Sequence, residues 1–384
     1  MPSRYLQGES LGGMDTILTA VAPARVNIIG EHTDYNDGFV LPTCTALFTR
    51  VSARRREDRE VHVRSSKMDD ERVFDVGDIQ PDNGGDWIEY VKGVAAGLRD
   101  AGVELAGADL WIDSNIPLGA GLSSSASLEL AVAEALLGMT VSTMDAHDLA
   151  LLCQKAEHEY AGVQCGIMDQ YALACAQFGN ALMLDCRSMQ TRQVSIPSDL
   201  AFFLTDSGVR HSLVDGEYNK RADECATAVA VISKSNPGVC SLRDVNDEIL
   251  AANEEALGDV LFRRCRHVVS ENKRVQDMVA ALDGGDLGRV GVLLNACHDS
   301  LRDDYDVSCT ELDTLVLIAN DDDRVLGSRM VGAGFGGCVL SACRKEDAKE
   351  VAAKVRSDYA AASGEEPLQH VVESAHPARL EEPA

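Results

Sequence analysis

The spacing of apolar and polar residues along the 384-residue chain changes several times, and each change marks an element. In Ile17–Ile29, Phe39–Ala53 and Glu60–Ser65, residues of the Val, Ile, Thr and Phe type recur between turn signals, which predicts antiparallel strands. From Asp86 the period lengthens: Trp87, Ile88, Val91, Val94, Ala95 and Leu98 fall on one helical face. Ala108–Ile112 predicts a strand that delivers the chain into a glycine turn. Ser123–Met139 follows as a strong helix, apolar and free of Gly and Pro until its end. Helices are expected over Asp145–Tyr160 and Gly166–Gln177, strands over Ala181–Cys186 and Ala201–Thr205, and a charged helix over Asp215–Ile232. Glu248–Asn320 is mainly helical and is interrupted at Gly284 and Gly285. A glycine-rich turn, Gly332–Gly337, then leads into a strand at Cys338–Ala342, a surface helix and a short strand near Leu368–Val372. This mixture and the length predict an α/β (α+β) protein, either two lobes, residues 1–195 and 196–384 with the boundary near residues 190–205, or one large α/β unit, without repeats or low-complexity linkers.

Composition narrows the possibilities. Hydrophobic residues make up 45 % and charged residues 25 %, an ordinary globular balance. A net charge of −27 argues against nucleic-acid binding, which rests on basic side chains neutralising phosphates. It does not exclude a nucleotide, which backbone N–H groups, a helix N-terminus and a cation can hold. The twelve cysteines are scattered singly with no C-x-x-C and are read as reduced thiols, mostly in the core. No basic-then-apolar leader opens the chain, and no run approaches the roughly 20 apolar residues of a membrane span. A cytoplasmic protein with no membrane partner is expected.

Candidate chemistry concentrates in four stretches. PLGAGLSSSAS (Pro117–Ser127) lacks the second glycine of a nucleophile elbow and the lysine of a Walker loop, and a linker would not continue into a long apolar helix. What remains is a strand, a glycine turn and a helix whose free N–H groups and positive dipole end face outward, or simply a tight turn with a serine cap. GAGFGG (Gly332–Gly337) matches G-x-G-x-x-G, but the CVLSA behind it predicts a strand where a dinucleotide fold needs a helix. PARVNIIGEHTDYN (Pro23–Asn36) crowds Glu31, His32 and Asp34 into a turn just after Arg25. It is either an Asx-capped polar turn or a site that fixes the hydroxyls of a polyol, and its spacing matches no known metal-ligand pattern. CGIMDQ (Cys165–Gln170) puts Asp169 at the start of an apolar helix, where the dipole alone would favour it.

Taken together and in order, these stretches resemble the galactokinases of the GHMP small-molecule kinase family. ARVNIIGEHTDYNDGFVLP is similar to the galactokinase signature, PLGAGLSSSAS to the phosphate loop, AEHEYAGVQCGIMDQ to the central motif and GSRMVGAGFGGC to the C-terminal glycine loop; VRHSLVDGEY and SLRDDYDVSC also resemble family segments. The resemblance covers roughly residues 20 to 345. It implies the GHMP kinase fold, two α/β lobes with mixed sheets and the active site between them, and a monomer that binds galactose, ATP and Mg²⁺. Carried over residue by residue, it makes Asp169 the general base and Arg25 its partner. The backbone of Gly119, Ala120, Gly121, Leu122, Ser123, Ser124 and Ser125 would wrap the ATP phosphates, and Ser125 and Glu157 would hold Mg²⁺. Glu31, His32, Asp34, Gly166 and Tyr218 would line the sugar site, with Trp87 and Ser65 near the adenosine. The implied reaction is ATP-dependent phosphorylation of galactose at C1, the entry step of galactose catabolism.

The chain departs from the family pattern in two places: LQGESLGGMD replaces an aromatic-Gly-x-Pro segment, and Ala24 stands where a glycine usually precedes Arg25. Two other readings share these motifs in part. A sugar-1-kinase for N-acetylgalactosamine or arabinose would carry much the same motifs. A catalytically silent sugar and ATP sensor would lack the Ser-Ala pair in the serine loop, and this chain keeps Ala126 and Ser127 as well as Asp169.

Overall fold

A computed structural model describes residues 16–82, 85–117, 119–209 and 214–381. The chain opens with β1 (Ile17–Asn27), β2 (Phe39–Val40), β3 (Pro42–Arg55), β4 (Glu60–Ser65) and β5 (Met68–Asp75). Next come α1 (Ile88–Asp100), β6 (Ala108–Ser114), α2 (Ser124–Gly138), α3 (Ala146–Ala156) and α4 (Met168–Cys175). β7 (Asn180–Asp185), β8 (Thr191–Ser195), β9 (Leu200–Asp206), α5 (Val214–Ile232), α6 (Asp247–Ala252), α7 (Glu254–Gly284), α8 (Leu287–Ser300) and α9 (Thr310–Asn320) follow. The last elements are β10 (Val325–Met330), β11 (Cys338–Arg344), α10 (Ala348–Ser363), β12 (Gln369–Val371) and β13 (Arg379–Leu380).

Three sheets organise them. The first runs β13-β1-β3-β6-β4-β5, the second β10-β11-β9-β12 and the third β2-β7-β8. The first is mixed and not wholly antiparallel as the strand pattern predicts: β4 lies parallel to β6, because β5 and α1 carry the chain across between them. Strands β5, β8, β10 and β13 escape the apolar pattern. β5 (MDDERVFD) is polar along most of its length, and Asp70, Glu71 and Asp75 are exposed on the outermost strand.

Helix α2 is apolar on nearly every side and is accordingly buried, packed on β1, β3, α1, α3 and α4. Its core includes Ala126, Leu130, Val132 and Leu136 together with Val51, Leu110 and Val91 from the sheet and α1. A second core joins Val26, Ile28 and Ile29 of the N-terminal half to Phe203, Val268, Leu294, Tyr305 and Leu340 of the C-terminal half. The chain's last strand pairs with β1 through Ala20–Leu380 and Val21–Arg379, so the C-terminal segment returns to the first sheet. All twelve cysteines are free thiols, and of these Cys240 alone is exposed. Among the described residues no helix is long and apolar enough to cross a membrane.

Candidate active site

Arg25 and Asp169, 144 residues apart, meet where β1 passes the start of α4. A β-bulge between Pro23 and Ala24 kinks β1 directly before Arg25, and such a kink re-aims the side chain that follows. Ala24 is fully buried at that bulge and opposes Thr45, so the replacement of the family's glycine is absorbed by the strand. Arg25 Nε donates to Asp169 Oδ1 at 2.7 Å, and a terminal guanidinium nitrogen lies 2.7 Å from the same oxygen. The other terminal nitrogen donates to the Gly121 carbonyl at 2.6 Å. Asp169 Oδ2 accepts the hydroxyl of Ser123.

The glycine loop therefore reaches the carboxylate twice, directly through Ser123 and indirectly through Arg25. It ends at Ser123, the residue capping α2, with φ +59° in the left-handed region. The Ser123 carbonyl starts the helical ladder by accepting from the Ser127 N–H at 3.1 Å, but its hydroxyl makes no capping bond. The first-turn N–H groups of α2 precede that ladder and lack helical partners, the arrangement that binds anions. A second glycine loop backs the first. Gly121 and Gly332 both have positive φ, +73° and +81°, and a β-carbon on Gly332 would sit 3.2 Å from Gly121 Cα. GAGFGG is thus a packing surface for the first glycine loop, and it runs into strand β11, which rules out the dinucleotide fingerprint.

Glu157 and Ser125 form the next corner. After α3 the helix widens into one π-helical turn, Glu157–Ala161, a distortion that commonly accompanies function. The Gln170 side-chain amide donates to Glu157 Oε2 at 2.7 Å and to Glu129 Oε2 at 3.1 Å. Burial and the Asp169 charge raise the pKa of Glu157, while Cys165, Ser125 and Gln170 oppose the rise by hydrogen bonding. Burial, then the charge of Glu157, holds Glu129 well above the usual carboxylate range. Among the described residues Glu129 Oε1 and Gln170 Oε1 have no partner. A divalent cation fits this corner, which offers two carboxyls, one with an orphan oxygen, and a serine hydroxyl, all hard oxygen donors. Glu129 was missed at the sequence level, although an acid inside the otherwise apolar ASLELAVA run is itself a signal, since a buried carboxyl requires a partner.

The signature turn Glu31–Asn36 divides its residues between frame and surface. Glu31 is buried and fully engaged: Arg329 approaches its two oxygens at 2.7 and 2.6 Å, and Asn27 and the Gly332 N–H donate as well. His32 is buried at φ +62°, and burial lowers its pKa to about 3, so the ring is neutral. Its Nε2 donates to the Ala333 carbonyl at 3.2 Å, which leaves Nδ1 to accept from the Tyr35 hydroxyl at 2.8 Å. The order continues from there: Tyr305 donates to Tyr35 at 2.7 Å, Cys225 to Tyr305 at 3.2 Å and Asn36 to Cys225 at 3.6 Å. Neither Tyr35 nor Tyr305 stood out in the sequence, because their partners are distant along the chain.

Asp34 is different. Burial and then the Asp169 carboxylate raise its pKa to about 6. Its Oδ2 would lie 1.8 Å from a β-carbon at position 166, so only glycine fits there. Asp34, Gly166 and Asp169 are thus adjacent. The Tyr218 ring closes the group, 5.7 Å from His32 and 5.3 Å from Tyr35 between centroids.

Trp87 and Ser65 stand apart. Trp87 precedes α1, and its buried indole N–H has no partner among the described residues. Ser65 ends β4, and its hydroxyl accepts from the Lys67 N–H at 3.3 Å, while the Lys67 ammonium donates to the Ile116 carbonyl, just ahead of the glycine loop. No hydrogen bond among the described residues joins Trp87 or Ser65 to that loop. The LQGESLGGMD departure and part of VRHSLVDGEY, residues 210–213, lie outside the described residues.

Three family models match the chain: the GHMP kinases N terminal domain over residues 89–177, the GHMP kinases C terminal over 278–361 and the galactokinase galactose-binding signature over 9–55. The Methanococcus jannaschii mevalonate kinase shares the fold, with a TM-score of 0.69 at 18 % identity over 95 % of this chain and 100 % of that one. The fold is that of the GHMP small-molecule kinases. Within that class, the galactokinase of Chloroflexus aggregans is 44 % identical over 360 residues, 94 % of this chain and 92 % of the relative, and that of Roseiflexus sp. is 44 % identical over 343 residues, 89 % and 88 %. The Lactococcus lactis galactokinase, solved in complex with galactose, superposes with a TM-score of 0.90 at 34 % identity and 96 % of each chain. The chain belongs to the galactokinase family.

Proposed function

We propose that the protein transfers the γ-phosphoryl group of ATP to the anomeric C1 hydroxyl of D-galactose, yielding galactose 1-phosphate and ADP, the first step of galactose catabolism. The observation that carries this reading is the adjacency of Asp169 to Asp34 and Gly166 on one side and to the glycine loop on the other. One carboxylate thereby faces both a polyol site and an anion-binding helix end.

In this reading the sugar lies against Asp34, Gly166 and Tyr218, and the neutral His32 and the Glu31–Arg329 pair hold the turn that carries Asp34. As the C1 oxygen forms its bond to the γ-phosphorus, the bond from that phosphorus to the β–γ bridging oxygen breaks. The hydroxyl proton passes to Asp169. Arg25 holds the carboxylate in place and contributes positive charge beside the transferring group, as the N–H groups at the start of α2 do for the phosphate oxygens. Ser125 and Glu157 would hold Mg²⁺, with Glu129 and Gln170 bracing Glu157; when bound, the ion neutralises phosphate charge. The unpartnered indole N–H of Trp87 supports a place for it beside the nucleotide base. The free thiols suit a reducing, cytoplasmic compartment.

ADP release measured with galactose, N-acetylgalactosamine, arabinose and glucose tests the proposal. Galactose is expected to give by far the highest kcat/KM. A preference for N-acetylgalactosamine or arabinose would make the protein a related sugar-1-kinase, and no turnover with any sugar would make it a sensor.

A further inference from the structure

We infer that Ser123 is a positioning residue for the proton acceptor, fastening Asp169 to the phosphate loop through its side chain. This rests on the reading of Asp169 as that acceptor. Three observations converge. Ser123 is held at φ +59°, where a residue with a β-carbon is strained and glycine is not. Its hydroxyl, at the position of a helix cap, makes none of the capping bonds that usually justify a serine there. That hydroxyl instead donates to Asp169 Oδ2, across 46 residues, from a side chain with only 8 % of the residue exposed.

Glycine would satisfy the backbone at this position, and another residue elsewhere could cap the helix, so the hydroxyl is the feature that serine retains. Its contact complements the one made by Arg25. The guanidinium holds Oδ1 and ties it to the Gly121 carbonyl, and Ser123 holds Oδ2. With both oxygens fixed, the carboxylate cannot rotate about its Cβ–Cγ bond, and its remaining lone pair on Oδ2 stays aimed in one direction. Ser123 lies in the loop that would cradle the nucleotide, and Arg25, on β1, is itself bonded to that loop at the Gly121 carbonyl. The acceptor is therefore registered against the phosphate donor itself, which is the alignment that an in-line transfer requires.

Ser123→Gly tests this without the risk of misfolding, because it relieves the left-handed strain while removing only the hydroxymethyl group. The expected result is a fall in kcat of at least fivefold and up to about a hundredfold. KM for galactose, KM for ATP and the equilibrium affinity for ATP should stay within about threefold, and the thermal midpoint should be equal or higher. Ser123→Ala should lose kcat to a similar extent and also lower the midpoint, since it loses the hydrogen bond without relieving the strain. A kcat loss under fivefold in Ser123→Gly, or a loss expressed through weaker ATP binding, would overturn the assignment and leave Ser123 as a loop residue only. Near-normal turnover in Asp169→Asn would be a separate failure, that of the underlying acceptor reading.

Discussion

Arg329 and Glu31, 298 residues apart, form a wholly buried ion pair that ties strand β10 to the turn carrying the sugar signature. The guanidinium also donates to the carbonyls of Ile28, at 2.8 Å, and Met330, at 2.7 Å, and to that of Asn27. Removing one partner of such a pair leaves an uncompensated charge and costs about 3 to 5 kcal/mol. Arg329→Met should therefore lower the denaturation midpoint sharply, and adding Glu31→Gln should restore part of the loss. If the single variant unfolded at the same denaturant concentration as the parent, the pair would not be holding the turn.

Asp169→Asn removes the proposed proton acceptor with little change of shape. Turnover should fall by about a hundredfold or more, within the usual range for general-base catalysis, with galactose and nucleotide affinities near those of the parent. Calorimetric titration beside steady-state kinetics separates the two quantities. A variant with near-normal kcat would mean that the sugar proton leaves by another route.

Glu157→Gln exchanges an anionic oxygen for an amide one in the corner shared with Ser125, Glu129 and Gln170. The Mg²⁺ concentration needed for half-maximal activity should rise steeply, whereas galactose binding without nucleotide should hardly change. The measurement is a Mg²⁺ titration at saturating ATP. An unaltered curve would remove Glu157 from the cation site.

Asp34 should read the C4 hydroxyl of the sugar and also burden the fold. Leaving a buried polar group without its partner costs about 1 to 3 kcal/mol, so glucose should be a very poor substrate and Asp34→Ala should narrow the galactose advantage in kcat/KM. An undiminished preference in that variant would assign C4 to another residue. The pKa raised to about 6 by burial and by Asp169 adds a stability signature. A carboxyl whose folded pKa exceeds its unfolded value favours folding below the unfolded value, and that contribution is lost as pH rises through the folded one. Asp34→Asn should thus be more stable than the parent at pH 8, by at most about 3 kcal/mol, with the gain vanishing toward pH 4. Equal midpoints for the two proteins at pH 8 would show that Asp34 carries no such strain.

The local elements were legible because their causes are local. A continuous run of strand-forming residues specifies β1, alternation specifies β4, the unbroken apolar run specifies α2, and the strand behind GAGFGG excludes a dinucleotide site before any fold is seen. The motifs likewise carry the galactokinase resemblance, which the comparisons with known proteins bear out. Tertiary structure alone decided which side chains meet. Nothing near Glu31 announces Arg329, nothing near Tyr35 announces Tyr305 and Cys225, and Ser123 resembles any helix cap until its hydroxyl is seen on Asp169. The physical reason is range. Backbone geometry repeats within a few residues and writes itself into the spacing of side chains, whereas an ion pair, a shared proton or a raised carboxyl pKa depends on burial and on neighbours that the topology brings from hundreds of residues away.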